Sequence, residues 1–460
     1  MGTHVGVPRQ KPLSVRPGAG LAIVGLGASL APLDIAVNVA LPAITTHFRL
    51  PLADVQWLVI CYVLVYGSLM LVCGKLGDLF GHRLIFRIGL ALSAIGCAAC
   101  AAAPDWPLFL WARAGQGVGT ALALSCAPAL ATSLFPESER TKGLAGFAAG
   151  QALAATIGPL LGGVFVAIWD WPSVYWMRVP IALAALGLSG LLPSPKPDER
   201  PFDGLGAGLL AFCMSALLLS LVLSQRPAVP GLWAAILACV ALVGVVAFVR
   251  RENSYSEPII RPALFTDAAF TIPNVMNVLA NLAGFTILLL TPYYLMNELR
   301  LPAMLAGVVL ALPFVGAAGS ASLSVRLVKR FGQRPAAFAG IVVEALALVA
   351  LGFADTTTPL PAVMLPLFVL GLGQGLLTVA YADIVTGTLA RRDRGVAGSL
   401  ALLTRTLGIV SGATVLTALH AHAAGEGFMA GYRFAFFVAG GGLLGALAVS
   451  CLWPRVWFRR

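Results

Sequence analysis

Charged side chains are scarce in this 460-residue sequence. Asp, Glu, Lys and Arg together make up 11% of the chain, whereas 59% of its residues are hydrophobic. Soluble globular proteins contain about 25% charged residues, so this chain cannot cover a water-facing surface. The composition excludes a soluble globule and indicates an integral membrane protein whose outer surface faces hydrocarbon.

Residues and motifs that build soluble catalytic, nucleotide or metal sites are also few. The five histidines all fall in predicted loops or tails, and no Walker A sequence or nucleotide-sized soluble domain is present. The eight cysteines lie in or at the ends of apolar stretches, so they imply no disulfide framework. These absences exclude an ATP-driven pump, argue against a membrane-embedded enzyme, and predict neither a cofactor nor a metal site.

The sequence contains apolar runs that are long enough to span a lipid bilayer. Runs of about 20 apolar residues, separated by polar or Pro/Gly-rich breaks, predict fourteen transmembrane helices. Their predicted ranges are 18–44, 55–74, 84–103, 107–130, 143–168, 174–192, 204–224, 231–249, 271–296, 303–325, 335–354, 360–382, 396–418 and 431–453.

Basic residues set the predicted orientation. The net charge of +11 does not indicate a nucleic-acid partner, because the basic residues gather in short gaps between the apolar runs. With the N-terminus inside, 23 of the 30 Lys and Arg residues are cytoplasmic, two lie within spans, and five are external, among them Arg178. This bias predicts that both termini are cytoplasmic, and it agrees with an even number of helices.

Two short segments repeat at almost one offset. Phe80–Arg83 recurs as Phe331–Arg334, and Lys142–Gly146 recurs as Arg394–Gly398. The repeats predict two duplicated halves, 18–192 and 271–453, each with six helices, and two inserted helices at 204–249. Residues 193–203 and 250–270 are then cytoplasmic linkers, with cytoplasmic tails at 1–17 and 454–460. Two halves around a midplane site are the architecture of a secondary transporter that works by alternating access.

Three motifs carry a resemblance to the major facilitator superfamily. Residues 74–83 resemble its motif A, residues 109–121 resemble motif B, and residues 154–163 resemble motif C. The segment Leu33–Pro42 and the pair Trp57 and Tyr62 are similar to the fourteen-helix drug:proton antiporters of that superfamily. The resemblance implies an all-α major facilitator fold and, through motif C, efflux. The conformational motif residues it assigns are Gly74, Asp78, Gly81, Arg83, Gly158, Pro159, Gly162 and Gly163.

Asp34 is the central residue of the predicted mechanism. An ionised carboxylate in the middle of a membrane helix costs at least about 2.5–3.5 kcal/mol unless it is paired or hydrated, so Asp34 must face protein or water. There it can exchange a proton, or it can form a permanent hydrogen bond to a neighbouring helix. Arg113 cannot lose its proton, but it can pair with Asp34; the resemblance places the motif B arginine in the proton relay, and a structural ion pair is the alternative.

Other polar residues within predicted spans complete the candidate site. Glu344 is an intramembrane acid and is therefore assigned to proton coupling together with Asp34 and Arg113. Asp34 and Asn38 are four residues apart where the family pattern has five, which changes the face that a regular helix 1 turns to the cavity. Asp78 at a helix end is predicted to meet a helix N-terminus or Arg83 and so to latch the cytoplasmic side. The predicted cavity residues are Asn38, Tyr62, Tyr66, Gln116, Asn274, Asn277, Asn281, Gln374 and Arg405.

The leading hypothesis is a proton-coupled exporter of amphipathic organic compounds, such as drugs or antibiotics, in the inner membrane of the cell. Tyr62 and Tyr66 offer aromatic faces suited to organic cations, or they are plain packing residues. A dedicated transporter of a single endogenous metabolite shares every motif and is the alternative. The predicted partners are a small-molecule substrate, protons and the lipid bilayer, and we expect a monomer.

Overall fold

The computed structural model describes residues 16–136, 139–193, 203–224, 230–255, 262–388 and 394–458. These residues form helices and connecting turns, without a β-strand among them. The helices up to the first linker are α1 (Pro17–Ala28), α2 (Ala36–His47), α3 (Leu52–Phe80), α4 (His82–Ala101), α5 (Trp106–Ser133), α6 (Arg140–Trp169), α7 (Ser173–Trp176) and α8 (Arg178–Leu188).

The remaining helices follow in the same up-and-down order. The inserted pair is α9 (Gly204–Leu223) and α10 (Gly231–Ser254). The second half contains α11 (Ala268–Tyr293), α12 (Ala303–Phe331), α13 (Gln333–Gly352), α14 (Leu360–Thr388), α15 (Arg394–Ala423), α16 (Phe428–Ser450) and the short α17 (Pro454–Phe458).

The all-helical prediction is confirmed, and each of the fourteen predicted apolar runs falls on a helical part of the described chain. Within the described residues, ten helices are long and apolar enough to cross a membrane, or eleven if the bent α3 counts as one span. Large apolar side chains such as Ile95, Trp111 and Leu242 are exposed on the outside of the bundle, as expected for a surface in contact with lipid. The chain is therefore built as a multi-pass membrane protein. Parts of the predicted tails and linkers (residues 1–15, 194–202, 256–261 and 459–460) lie outside the described residues.

The first predicted span, residues 18–44, falls within one candidate span, Pro17–His47, but the helix is irregular in its middle. α1 ends at Ala28, a 3-10 helix covers Pro32–Ile35, and α2 begins at Ala36. Proline has no backbone N–H to continue the hydrogen-bond ladder of α1, so the break falls at Pro32. Asp34 lies in this junction, and the inference from its spacing to Asn38 on a regular helix no longer applies.

The repeated Phe-Gly segment forms the same turn in each half. Gly81 separates α3 from α4 with φ +95°, and Gly332 separates α12 from α13 with φ +93°. Each glycine donates its N–H to a carbonyl four residues earlier, Gly77 in one half and Val328 in the other, at 2.9 Å. The halves thus share a local geometry as well as a sequence motif.

We expect Gly332→Ala to lower the free energy of unfolding by about 1–3 kcal/mol, because a backbone with φ near +93° and ψ near +164° is almost restricted to glycine. A Cβ at Gly332 would meet only Pro335 Cδ at 3.8 Å, which is an ordinary contact, so the strain comes from the backbone alone. Thermal unfolding of the purified protein in detergent measures the effect. Gly425→Ala is the matched control, since Gly425 lies in another short connection, has no positive φ, and has no atom within 4 Å of the place that a Cβ would occupy. Equal shifts in both variants would contradict this expectation.

Among the described residues, four helix pairs join the halves. α6 packs against α12, α3 packs against α15, and α2 packs against both α11 and α12. At the end of the bundle opposite the chain termini, the hydroxyl groups of Thr45 on α2 and Tyr293 on α11 share a hydrogen bond of 2.5 Å. A Cβ at Gly307 on α12 would overlap the Pro159 carbonyl oxygen of α6, so backbone meets backbone there. This end of the bundle is closed.

The inserted pair lies beside the bundle rather than inside it. α9 packs against α10 and also against α3 and α15, with Ser215 hydrogen-bonded to Ser68 at 3.4 Å. At the start of α9, burial opposes the charge of Asp203, but hydrogen bonds from Arg251 (3.0 and 3.1 Å) and from the N–H of Gly206 prevail and lower the pKa of Asp203. The resulting ion pair fastens α9 to α10 at the side of the chain termini.

Candidate functional site

Asp34 lies in the 3-10 helix Pro32–Ile35, which forms the junction between α1 and α2. The junction leaves the side chain 12% exposed and places it just before the N-terminus of α2. The backbone N–H of Ala36, the first residue of α2, is already bonded to carbonyls of the 3-10 segment. The countercharges that an ionised Asp34 needs must therefore come from side chains of other helices.

Arg113 on α5 supplies the first countercharge. Its Nη1 and Nη2 atoms donate to the two carboxylate oxygens of Asp34 at 2.8 and 2.9 Å, which is a bidentate ion pair. The same guanidinium donates to the Leu58 carbonyl at 3.2 Å and to Gln116 Oε1 at 2.8 Å. Gln116 Nε2 in turn donates to Asp34 at 3.3 Å. The sequence analysis predicted that Asp34 and Arg113 can pair, and in the structure they form this ion pair.

Arg178 supplies a second countercharge, which sequence reasoning missed. Its Nη1 donates to Asp34 Oδ1, its Nε donates to the Val174 carbonyl at 3.0 Å, and the side chain is fully buried. The assignment of Arg178 to an external loop is therefore wrong. The burial of Arg178 was indicated by its position within the predicted helix 174–192. The count of basic residues nevertheless placed it outside the membrane.

Two tyrosines enclose the arginines. The guanidinium of Arg113 lies 4.4 Å from the ring centroid of Tyr62, and that of Arg178 lies 4.8 Å from the ring centroid of Tyr175. Cation–π contacts of this kind strengthen when they are desolvated. Tyr62 was predicted to offer its face to an organic cation, but in this conformation the occupant of that face is Arg113. Tyr66 packs against Tyr62 with ring centroids 5.3 Å apart.

The cluster is unbalanced in charge. One carboxylate faces two guanidinium groups, and the arginines are at most 1% exposed. Buried ion pairs are tolerated only when geometry and further hydrogen bonds offset the loss of hydration. The bidentate bond, the backbone carbonyls and the tyrosine rings provide that offset here. Removal of the single negative charge, by protonation or mutation, would leave two buried cations in contact.

The motif C glycines connect this cluster to the other half. Gly158 on α6 approaches the junction, since its Cβ position lies 3.5 Å from the Pro32 carbonyl oxygen. The Cβ position of Gly162 lies 2.8 Å from the Ala36 carbonyl oxygen, and that of its neighbour Gly163 lies 2.7 Å from the Ala303 carbonyl oxygen of α12. α6 thus touches the Asp34 junction and the opposite half through adjacent residues.

The asparagines of α11 are drawn into contacts between helices. Asn277 donates to Thr404 on α15 at 2.9 Å, and Asn274 accepts from the Tyr381 hydroxyl of α14 at 2.7 Å. Asn281 donates to the Asn277 carbonyl at 2.8 Å and is only partly buried. The first two amides therefore tie α11 to its neighbours, while cavity lining by this stripe stays a prediction.

Arg405, which was predicted from its position within an apolar span to line the cavity, is exposed. Its neighbour Thr406 meets Gly67 of α3, where a Cβ would lie 2.5 Å from the threonine methyl group. On α3, Ser68 faces α9 outside the bundle, and the preceding Tyr66 lies within electrostatic range of both Asp34 and Arg405. Arg405 thus lies on α15 next to the contact of this helix with α3. Asn38 is buried, Gln374 is partly buried, and Glu344 is fully buried on α13, in the other half from Asp34.

The motif A residues form local contacts. Asp78 Oδ1 lies 3.3 Å from His82 Nε2, and Arg83 donates to the carbonyls of Leu192 at 3.0 Å and Gly190 at 3.4 Å. Arg83 is thus bound to the segment just after α8. Asp78 contacts His82, the first residue of α4, so of the two predicted contacts it meets the start of a helix and does not pair with Arg83. Gly74 lies within α3, and Gly81 forms the turn already described.

Comparison with known proteins places these features in context. The sequence model described as "Major Facilitator Superfamily" matches residues 19–257 and 274–457. The chain is 25% identical to "Riboflavin transporter RibZ" of Clostridioides difficile (strain 630) over 87% of this chain and 88% of that protein. It is 28% identical to "Tetracenomycin C resistance and export protein" of Streptomyces glaucescens over 90% of this chain and 78% of that protein. The solved structure of "the POT family transporter PepTSo" superposes with a TM-score of 0.71 at 13% identity, covering 95% of this chain and 98% of that chain.

Proposed function

Because the chain belongs to the Major Facilitator Superfamily, we propose that it is a proton-coupled antiporter that exports amphipathic organic compounds such as drugs or antibiotics. In this proposal the chain crosses the inner membrane fourteen times as a monomer, with both termini in the cytoplasm. The halves comprise residues 18–192 and 271–453, and the inserted pair comprises residues 204–249.

The observation that carries the proposal is the carboxylate of Asp34 held by Arg113 and Arg178 at a helix break. Arginine keeps its proton at all physiological pH values, so Asp34 is the only one of the three that can exchange one. A proton on Asp34 removes the charge that holds both guanidinium groups. The cluster then has two arrangements, one paired and one open, and proton binding selects between them.

The proposed coupling runs from this cluster to the contact between the halves. Gly162 of α6 touches α2 beside the Asp34 junction, and Gly163 touches α12. A rearrangement of the junction on protonation shifts α6, and the same helix forms part of the closed end of the bundle. Proton binding from the outside and proton release to the cytoplasm would thereby bias the two access states.

Efflux as the direction is supported by two observations. Motif C, which resembles the exporter motif, occupies the helix that joins the Asp34 junction to the opposite half. Among the relatives, the protein of S. glaucescens is named for resistance and export. Both observations fit a transporter that moves its substrate out of the cell.

A dedicated transporter of one metabolite is the second candidate. It is favoured by the similarity to a riboflavin transporter, which covers 87% of this chain. The number of accepted compounds separates the two candidates, since an exporter of drugs accepts several unrelated structures.

Transport into inside-out membrane vesicles tests the proposal. We expect an acidic interior to drive uptake of at least one of ethidium, tetraphenylphosphonium, tetracycline and riboflavin, and each addition of a transported compound to release protons from the lumen. Collapse of the pH gradient with nigericin should reduce uptake to the level of vesicles that lack the protein. Uptake that is indifferent to nigericin would refute proton coupling, and uptake of riboflavin alone would favour the second candidate.

A further inference from the structure

Glu344 is a buried acid that the mechanism above does not use. It lies in the middle of α13 and has no exposed surface. Neither carboxylate oxygen has a hydrogen-bond partner among the described residues. Asp34 in the other half, by contrast, is satisfied by two arginines and a glutamine. Two intramembrane acids in one bundle thus have opposite environments.

The surroundings of Glu344 are apolar or amide groups. A Cβ at Gly284 on α11 would lie 2.8 Å from Glu344 Oε1 and 3.4 Å from Gln374 Nε2 on α14. On the next turns, Gly373 of α14 packs against the Glu344 backbone, and Gly440 of α16 packs against Ala345. Within the described part of the chain, none of the helices packed against α13 (α11, α12, α14, α16 and α17) turns a titratable or charged group to the carboxyl group.

The equivalent position in the first half shows that this packing does not require an acid. α4 and α5 cross closely where a Cβ at Gly119 would lie 2.5 Å from the Ser93 nitrogen. α13 and α14 cross in the same way, with Gly373 against the Glu344 nitrogen at 2.7 Å. Ser93 therefore occupies in the first half the place that Glu344 occupies in the second. Because the Ser93 hydroxyl fills this position in the first half, the packing of the helices does not explain why the second half has a carboxyl group there.

We propose that Glu344 is a second exchangeable proton site, which is occupied by a proton in the conformation described here and releases it when the contact of α13 with α11 and α14 opens. This inference rests on the proposed function. A carboxylate without a countercharge or a donor is unstable in an apolar interior, so the buried form is the neutral acid. The proton passes to water when the group becomes accessible. Gln374, whose Nε2 lies 3.4 Å from the same Cβ position at Gly284, is a partly exposed polar side chain near Glu344.

Infrared spectroscopy tests the site without any substrate. We expect the reconstituted protein to show the carbonyl stretch of a protonated carboxylic acid at about pH 5, and to lose it reversibly as the pH rises toward about pH 10. The band should shift in D2O, disappear in Glu344→Gln, and persist in Asp34→Asn and in Glu344→Asp. Absence of the band at all these pH values, or a band that neither titrates nor exchanges in D2O, would overturn the proposal.

Transport by the same variants separates this inference from the proposed function. For a compound that the wild type exchanges for protons, we expect Glu344→Gln to transport with one proton fewer per cycle, measured from the substrate gradient at which net flux stops. If the wild type shows no proton coupling, the proposed function fails while the infrared result still decides whether Glu344 titrates. An unchanged stoichiometry in Glu344→Gln would show that its proton is not part of the cycle.

Discussion

Replacement of Asp34 with asparagine is expected to abolish transport driven by a pH gradient and to destabilise the protein. The variant retains the shape of the side chain but leaves Arg113 and Arg178 buried together without an anion. Removal of one partner from a buried ion pair costs about 3–5 kcal/mol, because the remaining charge is uncompensated. Uptake into acidic-interior vesicles should fall to the level of vesicles that lack the protein, and the melting temperature in detergent should fall as well.

A charge-matched variant separates these two effects. Asp34→Asn combined with Arg178→Gln removes one charge of each sign, so the cluster keeps the net charge of the wild type. We expect this double variant to regain much of the lost melting temperature, since only Arg113 remains and it retains its bonds to Leu58 and Gln116. It should remain unable to couple transport to protons. Proton-driven uptake by either variant at the wild-type rate would contradict the role given to Asp34.

A side chain at Gly307 is expected to block the closed state seen here. The Cβ of Gly307→Val would overlap the Pro159 carbonyl oxygen, and the Cα of Gly163 would be 2.9 Å from it. Overpacking costs about 1–3 kcal/mol, which corresponds to a shift of about 5- to 150-fold between the closed and open states. Because a transport cycle visits both states, the transport rate should fall by a comparable factor.

Labelling of an introduced cysteine reports the change of state directly. In a cysteine-free background, Thr45→Cys places a thiol at the closed end of the bundle, and Gly307→Val should increase its reaction with a membrane-impermeant maleimide. Gly319→Val on the same helix is the control, because no atom lies within 4 Å of its Cβ position. Equal labelling and equal transport in the two valine variants would show that the contact between α6 and α12 does not limit the cycle.

The positions of the helices followed from the sequence because the length of an apolar run is a direct physical requirement of the bilayer. The repeated Phe-Gly turn was equally predictable, since Gly81 and Gly332 both adopt a backbone that other residues avoid. Hydropathy does not register the break in helix 1, because proline and leucine both belong to an apolar run. Pro32 was the available signal, and it preceded Asp34 by only two residues.

The residues of the site were predicted unevenly for a similar reason. Asp34 and Arg113 stand out because a charged side chain within a long apolar run must be paired or hydrated inside the membrane. Arg178 lies near the start of such a run, where charges are common, so its burial depends on tertiary contacts of α8 that a sequence does not display. Arg405 had the opposite outcome, since it lies within an apolar run and is nevertheless exposed.

Because of the position of α9, the two lateral seams between the halves differ in how far they are exposed to lipid. α9 lies against both α3 and α15, so it covers the seam between the halves on that side. In the part of the chain that the structure describes, neither α9 nor α10 packs on the opposite seam between α6 and α12. An apolar solute dissolved in the bilayer would therefore meet α9 at the seam of α3 and α15, whereas at the opposite seam it would meet α6 and α12 themselves.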